Sequence, residues 1–485
     1  MVQGTASDVG KSLLVTALCR LYARQGVRVA PFKAQNMALN STVTVDGAEI
    51  GRAQYAQAEA ARVVATADMN PILLKPETGS RSQVIVLGRP VGSSHFRDYR
   101  ARYTELRKVV TGALGRLRES YDLVVIEGAG SPAELNLRDG DLVNMWVAEQ
   151  ADAPVLLVTD IERGGAIAAL FGTLALLEPQ ERALVKGLVV NKFRGDASLF
   201  TDGVKIIEER CGVPVLGVVP HMGDARIASE DSLALRSNGG GLVIIAVIRM
   251  PHVSNFDEFE PLGREPGVEL RWCETPEQLD GAALVILPGT KCTVADLTWL
   301  RRTGLAGAIV RRAEAHQPVL GICGGYQMLG QQILDPLGVE SPEREVPGLD
   351  LLPVVTRFAP EKLTARVRMK LTEGLPLLGE AGGAVVEGYE IHHGRQDVAG
   401  GPSFGTILQR GQTSVSDPEG AISISGAVAG TTVHGLFENA RVRSALLAAT
   451  GAGVAPPETD PYEAVADHFA RALDMAFIDR LIGLR

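Results

Sequence analysis

GTASDVGKS, residues 4–12, runs directly into the apolar helical pattern LLVTALCRLYA. A glycine-rich turn, then a lysine, a hydroxyl and a helix is the order in which a chain wraps phosphate. Backbone N–H groups at the helix start face the anion, the lysine neutralises it, and the hydroxyl is placed for Mg²⁺. On this reading Gly4, Thr5, Ser7, Val9, Gly10, Lys11 and Ser12 hold a nucleotide, and Ser12 is also a metal ligand. One more residue separates the two glycines than in the usual loop. The start at MVQGTASDVGKS leaves no room for a signal or transit peptide and little for a complete first strand.

Outward from this loop, short β-rich runs alternate with longer helical patterns: VRVAPFK (27–33), YDLVVIEG (121–128), APVLLVTD (153–160), VKGLVVNK (185–192) and VPVLGVVP (213–220). Such alternation predicts βαβ units and a parallel sheet covered on both faces. LRSNGGG (235–241) reads as a linker, because successive glycines offer no packing. A second α/β series follows in LVIIAVIRM (242–250), VELRWC (268–273), AALVILPG (282–289) and PVLGICGG (318–325). Shorter alternating runs such as LTARVRMK (363–370) and GAISISG (420–426) then suggest antiparallel strands. The terminal PYEAVADHFARALDMAFIDRLI predicts one amphipathic helix. The expected organisation is an α/β protein with a phosphate-loop domain over 1–236 and a second α/β domain over 242–485 that includes the C-terminal helix.

The 485 residues carry a net charge of −9 with no basic stripe, which argues against nucleic acid, and no apolar run of membrane-spanning length. Five scattered cysteines without CxxC spacing indicate neither a zinc site nor a disulfide framework, and fit a reducing cytoplasm.

Cys323 lies in PVLGICGGYQMLG (318–330), where an apolar strand meets a helical pattern at a glycine-framed corner. A sharp turn there exposes the sulfur and aims a helix N-terminus at it, favouring thiolate. Amide hydrolysis by cysteine also needs a base and an oxyanion site. His434, in TTVHGLFE, is the candidate base although it lies 111 residues later. The backbone N–H of Gly324 and one from LPGTK, at Gly289 or Thr290, are the candidate oxyanion donors.

In the first half, Glu127 ends the strand DLVVIE where parallel sheets bind ligands, and is a candidate metal ligand. Glu49 in AEIGRAQ is a second; the competing reading is a solvated carboxylate at a helix start. Asp160 ends VLLVTD, placed to orient metal-bound water or the Gly164-Gly165 turn. Lys33 ends VRVAPFK and is placed to stabilise charge on a transferred phosphoryl group. Asn191 is placed for adenine recognition at the sheet edge, with a capping asparagine as the competing reading.

KAQNMALNS (33–41), EIGRAQ (49–54), EGAGSPAELNL (127–137), TDIERGG (159–165) and NKFRGD (191–196), in this order, resemble the cobyric acid synthase family over essentially the whole chain. The long phosphate loop is similar to that of dethiobiotin synthetase-like enzymes. The resemblance implies a dethiobiotin synthetase-like ATP domain fused to a class I glutamine amidotransferase domain. It also implies ATP, Mg²⁺, glutamine and a corrinoid polycarboxylate as the molecules bound. Many class I amidotransferases carry a glutamate two residues after the histidine; here that position is Leu436. Glu438 stands at a different spacing, so the expectation is a Cys–His pair with the imidazole held otherwise. His392 and His393 in YEIHHGR contact substrate or bond within the sheet. Two rivals remain: cobyrinic acid a,c-diamide synthase, which amidates other carboxylates of the corrin, and a partitioning-type ATPase. The second leaves Cys323 and His434 unexplained.

Overall fold

The computed structural model describes residues 1–77, 81–223, 237, 241–451 and 460–483. Most of the expected linker, 235–241, lies outside the described residues. The N-terminal half is built on parallel strands in the spatial order Val29–Phe32, Leu123–Ile126, Val2–Gly4, Val155–Asp160, Val185–Phe193 and Val215–Pro220. A single parallel bridge between Val2 and Glu127 joins the second of these strands to the third. The first strand is three residues long yet central, and all three are buried. Helix Lys11–Arg24 covers one face, burying Leu14, Val15 and Leu18 against Val125, Val158 and Val189.

In the second half, parallel strands run in the order Val268–Cys273, Val243–Ile248, Ala282–Leu287, Val319–Ile322 and Val428–Thr431, with Ala421–Ile422 antiparallel at the edge. Beside it, the long antiparallel strands Val354–Leu371 and Val385–Val398 form a mostly antiparallel sheet. The expected strand 420–426 is therefore only two residues long. Its remainder is a tight turn in which the Ser423 N–H donates to the Val428 carbonyl.

Two expectations at the C-terminus are corrected. The terminal segment forms two helices, Pro461–Ala472 and Met475–Leu481, and they pack on the N-terminal half, not on the second domain. Val465, Phe469 and Ile478 join the core of helix Lys11–Arg24, and Arg20 pairs with Asp460 at 2.8 Å. The break falls where Leu473 bridges Gly217 at the edge of the parallel sheet and Asp474 caps the next helix by accepting from the Phe477 N–H. A Cβ at Gly217 would lie 2.1 Å from the Ala472 carbonyl oxygen, so the docking needs glycine there.

The halves also meet elsewhere. Val43 packs against Tyr389 and Ile391, and ion pairs join Glu49 to Lys362 (2.6 Å), Glu77 to Lys291 (3.0 Å) and Arg52 to Asp257 (2.8 Å).

Candidate active sites

Strand pairing brings Cys323 and His434 together. Val319–Ile322 and Val428–Thr431 are adjacent and parallel, with Ile322 opposite Thr431, so the residues just beyond them leave the same edge of the sheet. Ala282–Leu287 flanks on the other side, delivering the turn with Gly289 and Thr290 to the same place. Cys323 adopts φ 50° and ψ −108°, a strained setting for a non-glycine residue and one that recurs at nucleophile turns. The turn survives because helix Gly324–Leu329 packs tightly beneath it: a Cβ at Gly325 would sit 2.0 Å from the Leu287 carbonyl oxygen. The Cys323 N–H is tied to the Thr431 carbonyl at 2.8 Å.

His434 is buried and stacks on the Tyr389 ring at 5.3 Å between centroids, and it lines one cavity with Cys323, whose Sγ donates to the Ile391 carbonyl at 3.8 Å. Its ring lies so close to Gly289 that a Cβ there would approach Cε1 to 2.9 Å. A Cβ at Gly324 would lie 3.1 Å from the Thr290 backbone nitrogen, so the turn with Gly289 and Thr290 packs against the residue that follows Cys323.

The group that holds the imidazole is Glu258, which the sequence reading missed. Its Oε1 lies 2.9 Å from His434 Nδ1, and its Oε2 accepts the Gly435 N–H at 3.1 Å. Burial alone would push the imidazole down, but Glu258 and then Cys323 outweigh it and hold His434 up at about 10. Glu438 is not part of this arrangement; it is half exposed and paired with Arg52 at 2.8 Å. The acidic run in SNFDEFE was the available signal for Glu258, but no spacing linked it to a histidine 176 residues away.

A cavity of about 810 Å³ opens from Cys323 and His434 toward Lys75, Glu77 and Arg81 of the N-terminal half. His392 and His393 line it, each also bonded within its own sheet, to the Gly394 and Ala359 carbonyls. Burial and then the nearby Lys362 push the His393 imidazole down to about 4.

At the phosphate loop, Lys33, Glu127 and the loop itself leave three neighbouring strands at their C-terminal ends. Glu127 Oε1 accepts from the Ser12 hydroxyl at 2.8 Å and from Lys33 at 3.0 Å, while Gln57 donates to Oε2 at 2.5 Å. Lys11 Nζ turns back onto the Ala6 carbonyl at 2.9 Å, on the loop it would bridge to phosphate. Gly4 and Val9 are buried, Ser7 is at the exposed tip, and the Thr5 hydroxyl bonds that of Thr159. Ser12 and Glu127 present one hydroxyl and one carboxylate oxygen side by side, which suits Mg²⁺, an ion that takes few protein ligands and keeps water and phosphate for the rest.

Two expectations here are revised, those for Glu49 and Asn191. Glu49 does not begin the helix: it lies in strand Glu49–Gly51 and is buried, with the helix starting at Arg52. Its oxygens hold Lys75 at 3.0 Å, Lys362 at 2.6 Å and the Ser41 hydroxyl at 2.8 Å. Burial raises its carboxyl, but the two ammonium groups outweigh that and lower it. Two cations already on the carboxylate would repel a third, so it does not fit a metal ligand. Asn191 sits inside the sheet, and its amide braces the phosphate loop by donating to the Val9 carbonyl at 2.8 Å; a Cβ on Gly10, at φ 98°, would meet that amide at 2.1 Å. Asp160 holds its own turn, accepting the Glu162 N–H at 2.8 Å and pairing with Lys192 at 3.2 Å. Among the described residues no cluster of three or more metal-binding side chains occurs, and no helix is long and apolar enough to cross a membrane.

Residues 1–234 match the model of the CobQ/CobB/MinD/ParA nucleotide binding domain, and residues 244–442 that of the CobB/CobQ-like glutamine amidotransferase domain. The chain is 53% identical to a cobyric acid synthase of Sorangium cellulosum, over 100% of this chain and 98% of the relative. It is 51% identical to one of Chloroflexus aurantiacus (99% and 98%) and 48% identical to one of Moorella thermoacetica (100% and 97%).

Proposed function

The chain belongs to the cobyric acid synthase family, and on that premise we propose that its halves run one reaction: ATP-dependent, glutamine-hydrolysing amidation of corrinoid carboxylates in cobalamin biosynthesis. The observation that carries this reading is a phosphate loop backed by Lys33 and Glu127 and a Cys323–His434–Glu258 constellation on one chain, similar to these synthases along its whole length.

A carboxylate is a poor electrophile at neutral pH because its leaving group would be oxide. Transfer of the γ-phosphoryl group of ATP converts it to an acyl phosphate, with Lys11 and Lys33 stabilising the charge that develops. Ser12 and Glu127 would hold Mg²⁺, which offsets phosphate charge when bound. In the other half the Cys323 sulfur attacks the glutamine carboxamide, and the Gly324 N–H with that of Gly289 or Thr290 receives the oxyanion. His434 takes the proton from the attacking sulfur and passes it to the departing nitrogen, which leaves as ammonia. Water then releases glutamate, and ammonia displaces phosphate from the acyl phosphate. The balance is carboxylate, ATP, glutamine and water giving amide, ADP, phosphate and glutamate. Generating ammonia on the same chain matters because free ammonia is dilute and mostly protonated.

The substrate we propose is adenosylcobyrinic acid a,c-diamide, amidated at the b, d, e and g side chains with one ATP consumed per amide. Incubation with ATP, Mg²⁺, glutamine and a panel of corrinoid acids, read by mass spectrometry, tests this. The diamide should gain four amides, with partly amidated intermediates at early times. An inert diamide alongside cobyrinic acid that gains only the a and c amides would instead assign the diamide synthase activity. No reaction with either would overturn the corrin assignment.

A further inference from the structure

The turn that carries Glu258 is gripped by the other half of the chain. Asn255 takes a left-handed φ of 53°, and the short 3-10 turn Phe256–Phe259 follows it. Each of the three residues before Glu258 has a partner from the N-terminal half. The Ser41 N–H donates to the Asn255 side chain at 3.1 Å, and the Asn40 side chain accepts the Phe256 N–H at 3.1 Å. Arg52 Nε lies 2.8 Å from Asp257 Oδ2, with both side chains largely buried. Burial outweighs the pull of Arg52 and pushes the Asp257 carboxyl up to about 7, and loss of the cation would raise it further.

Arg52 is also the first residue of helix Arg52–Ala60, and Gln57 of the same helix donates to Glu127 at the phosphate loop. Five residues of α-helix span about 7.5 Å. One rigid element therefore touches Glu127 at the phosphate loop and Asp257, the chain neighbour of Glu258.

We propose that Arg52 is a positioning residue of the glutaminase supplied by the synthetase half. It acts through Asp257 to hold the Glu258 carboxylate against His434, and its helix ties that contact to the phosphate loop. The proposal rests on the glutaminase reading given above. A carboxylate that orients an imidazole must be held closely, because displacements of about 1 Å cost on the order of 100-fold in rate.

The test is glutamate release from glutamine by the full-length protein, with and without ATP and Mg²⁺. Arg52→Ala should lower kcat by about 10- to 100-fold. The KM for glutamine should stay within about twofold, since no glutamine contact is lost. Arg52→Lys should recover much of the loss because it restores the cation. Arg52→Ala combined with Asp257→Asn should be little worse than either alone, as expected of two residues acting as one unit. ATP should change the wild-type kcat and leave that of Arg52→Ala unmoved. The proposal is overturned by an unchanged kcat in Arg52→Ala, by an effect on KM alone, or by additive losses in the double variant. It is equally overturned by an equal ATP response in wild type and variant, or by a matching loss of ammonia-dependent amidation, which would mean general damage. Cys323→Ser, assayed alongside, separates the two levels: glutamate release surviving in it would sink the glutaminase reading itself, whatever Arg52 does.

Discussion

At the glutaminase the carboxylate that completes the constellation comes from a loop held by the opposite half of the protein, whereas at the phosphate loop Lys33 and Glu127 end two neighbouring strands and Ser12 starts the helix that follows the third. Both sites stand at the C-terminal ends of parallel strands, and both begin at a glycine-framed turn into a helix. They differ in where the partners of their key groups lie. Glu258 reaches His434 at 2.9 Å across 176 residues, while Lys11 Nζ donates to the Ala6 and Gly130 carbonyls at 2.9 and 3.4 Å, both in its own half.

The sharpest way to break this contrast is Cys323→Ser. Glutamine-dependent amidation should fall by more than about 10⁴-fold, the scale of removing a covalent nucleophile. Amidation driven by ammonia should persist, because only the nitrogen source is lost. Product analysis with each donor checks it, and loss of both activities in a folded variant would falsify the division of labour. Lys11→Ala is the converse. Amidation should drop about 10³-fold with either donor, since the phosphoryl transfer common to both loses its cation. Undiminished ammonia-dependent synthesis would remove the loop from the mechanism.

Glu258→Gln should lower glutamine hydrolysis by about 100-fold or more, because the amide no longer supports an imidazolium. The pH profile gives the sign. His434 is held up at about 10, so the protonated imidazole persists through neutral pH and is lost as pH rises through that value. Without the Glu258 charge the alkaline limb should move to lower pH. An unmoved limb would make Glu258 a structural residue.

What was legible in the sequence follows the same division. Groups at the ends of strands could be placed from strand order alone, so the positions of Cys323, His434, Lys33 and Glu127 at strand ends were legible. Glu49 misled because its surroundings are made by Lys362, which lies 313 residues later and in the other half. The same non-local pairing hid Glu258, Gln57 and the docking of the last two helices on helix Lys11–Arg24. An amphipathic pattern reveals that a helix has an apolar face, but not which core receives it.

The smallest expected effect bears on Glu438, the carboxylate nearest to His434 in the sequence. Glu438 stands four positions after His434, yet its carboxylate is half exposed and bonds Arg52, while the imidazole is served by Glu258. An exposed ion pair is screened by water and contributes under about 1 kcal/mol. Arg52 keeps its closer, buried partner Asp257 when Glu438 is removed. Glu438→Ala should therefore change kcat for glutamine hydrolysis by less than about fivefold, the equivalent of that small energy. Steady-state assays beside Glu258→Gln make the comparison direct. If Glu438→Ala were as damaging as Glu258→Gln, the Arg52 contact to Asp257 would depend on Glu438, and the carboxylates around the imidazole would act as one network instead of a single partner with a bystander.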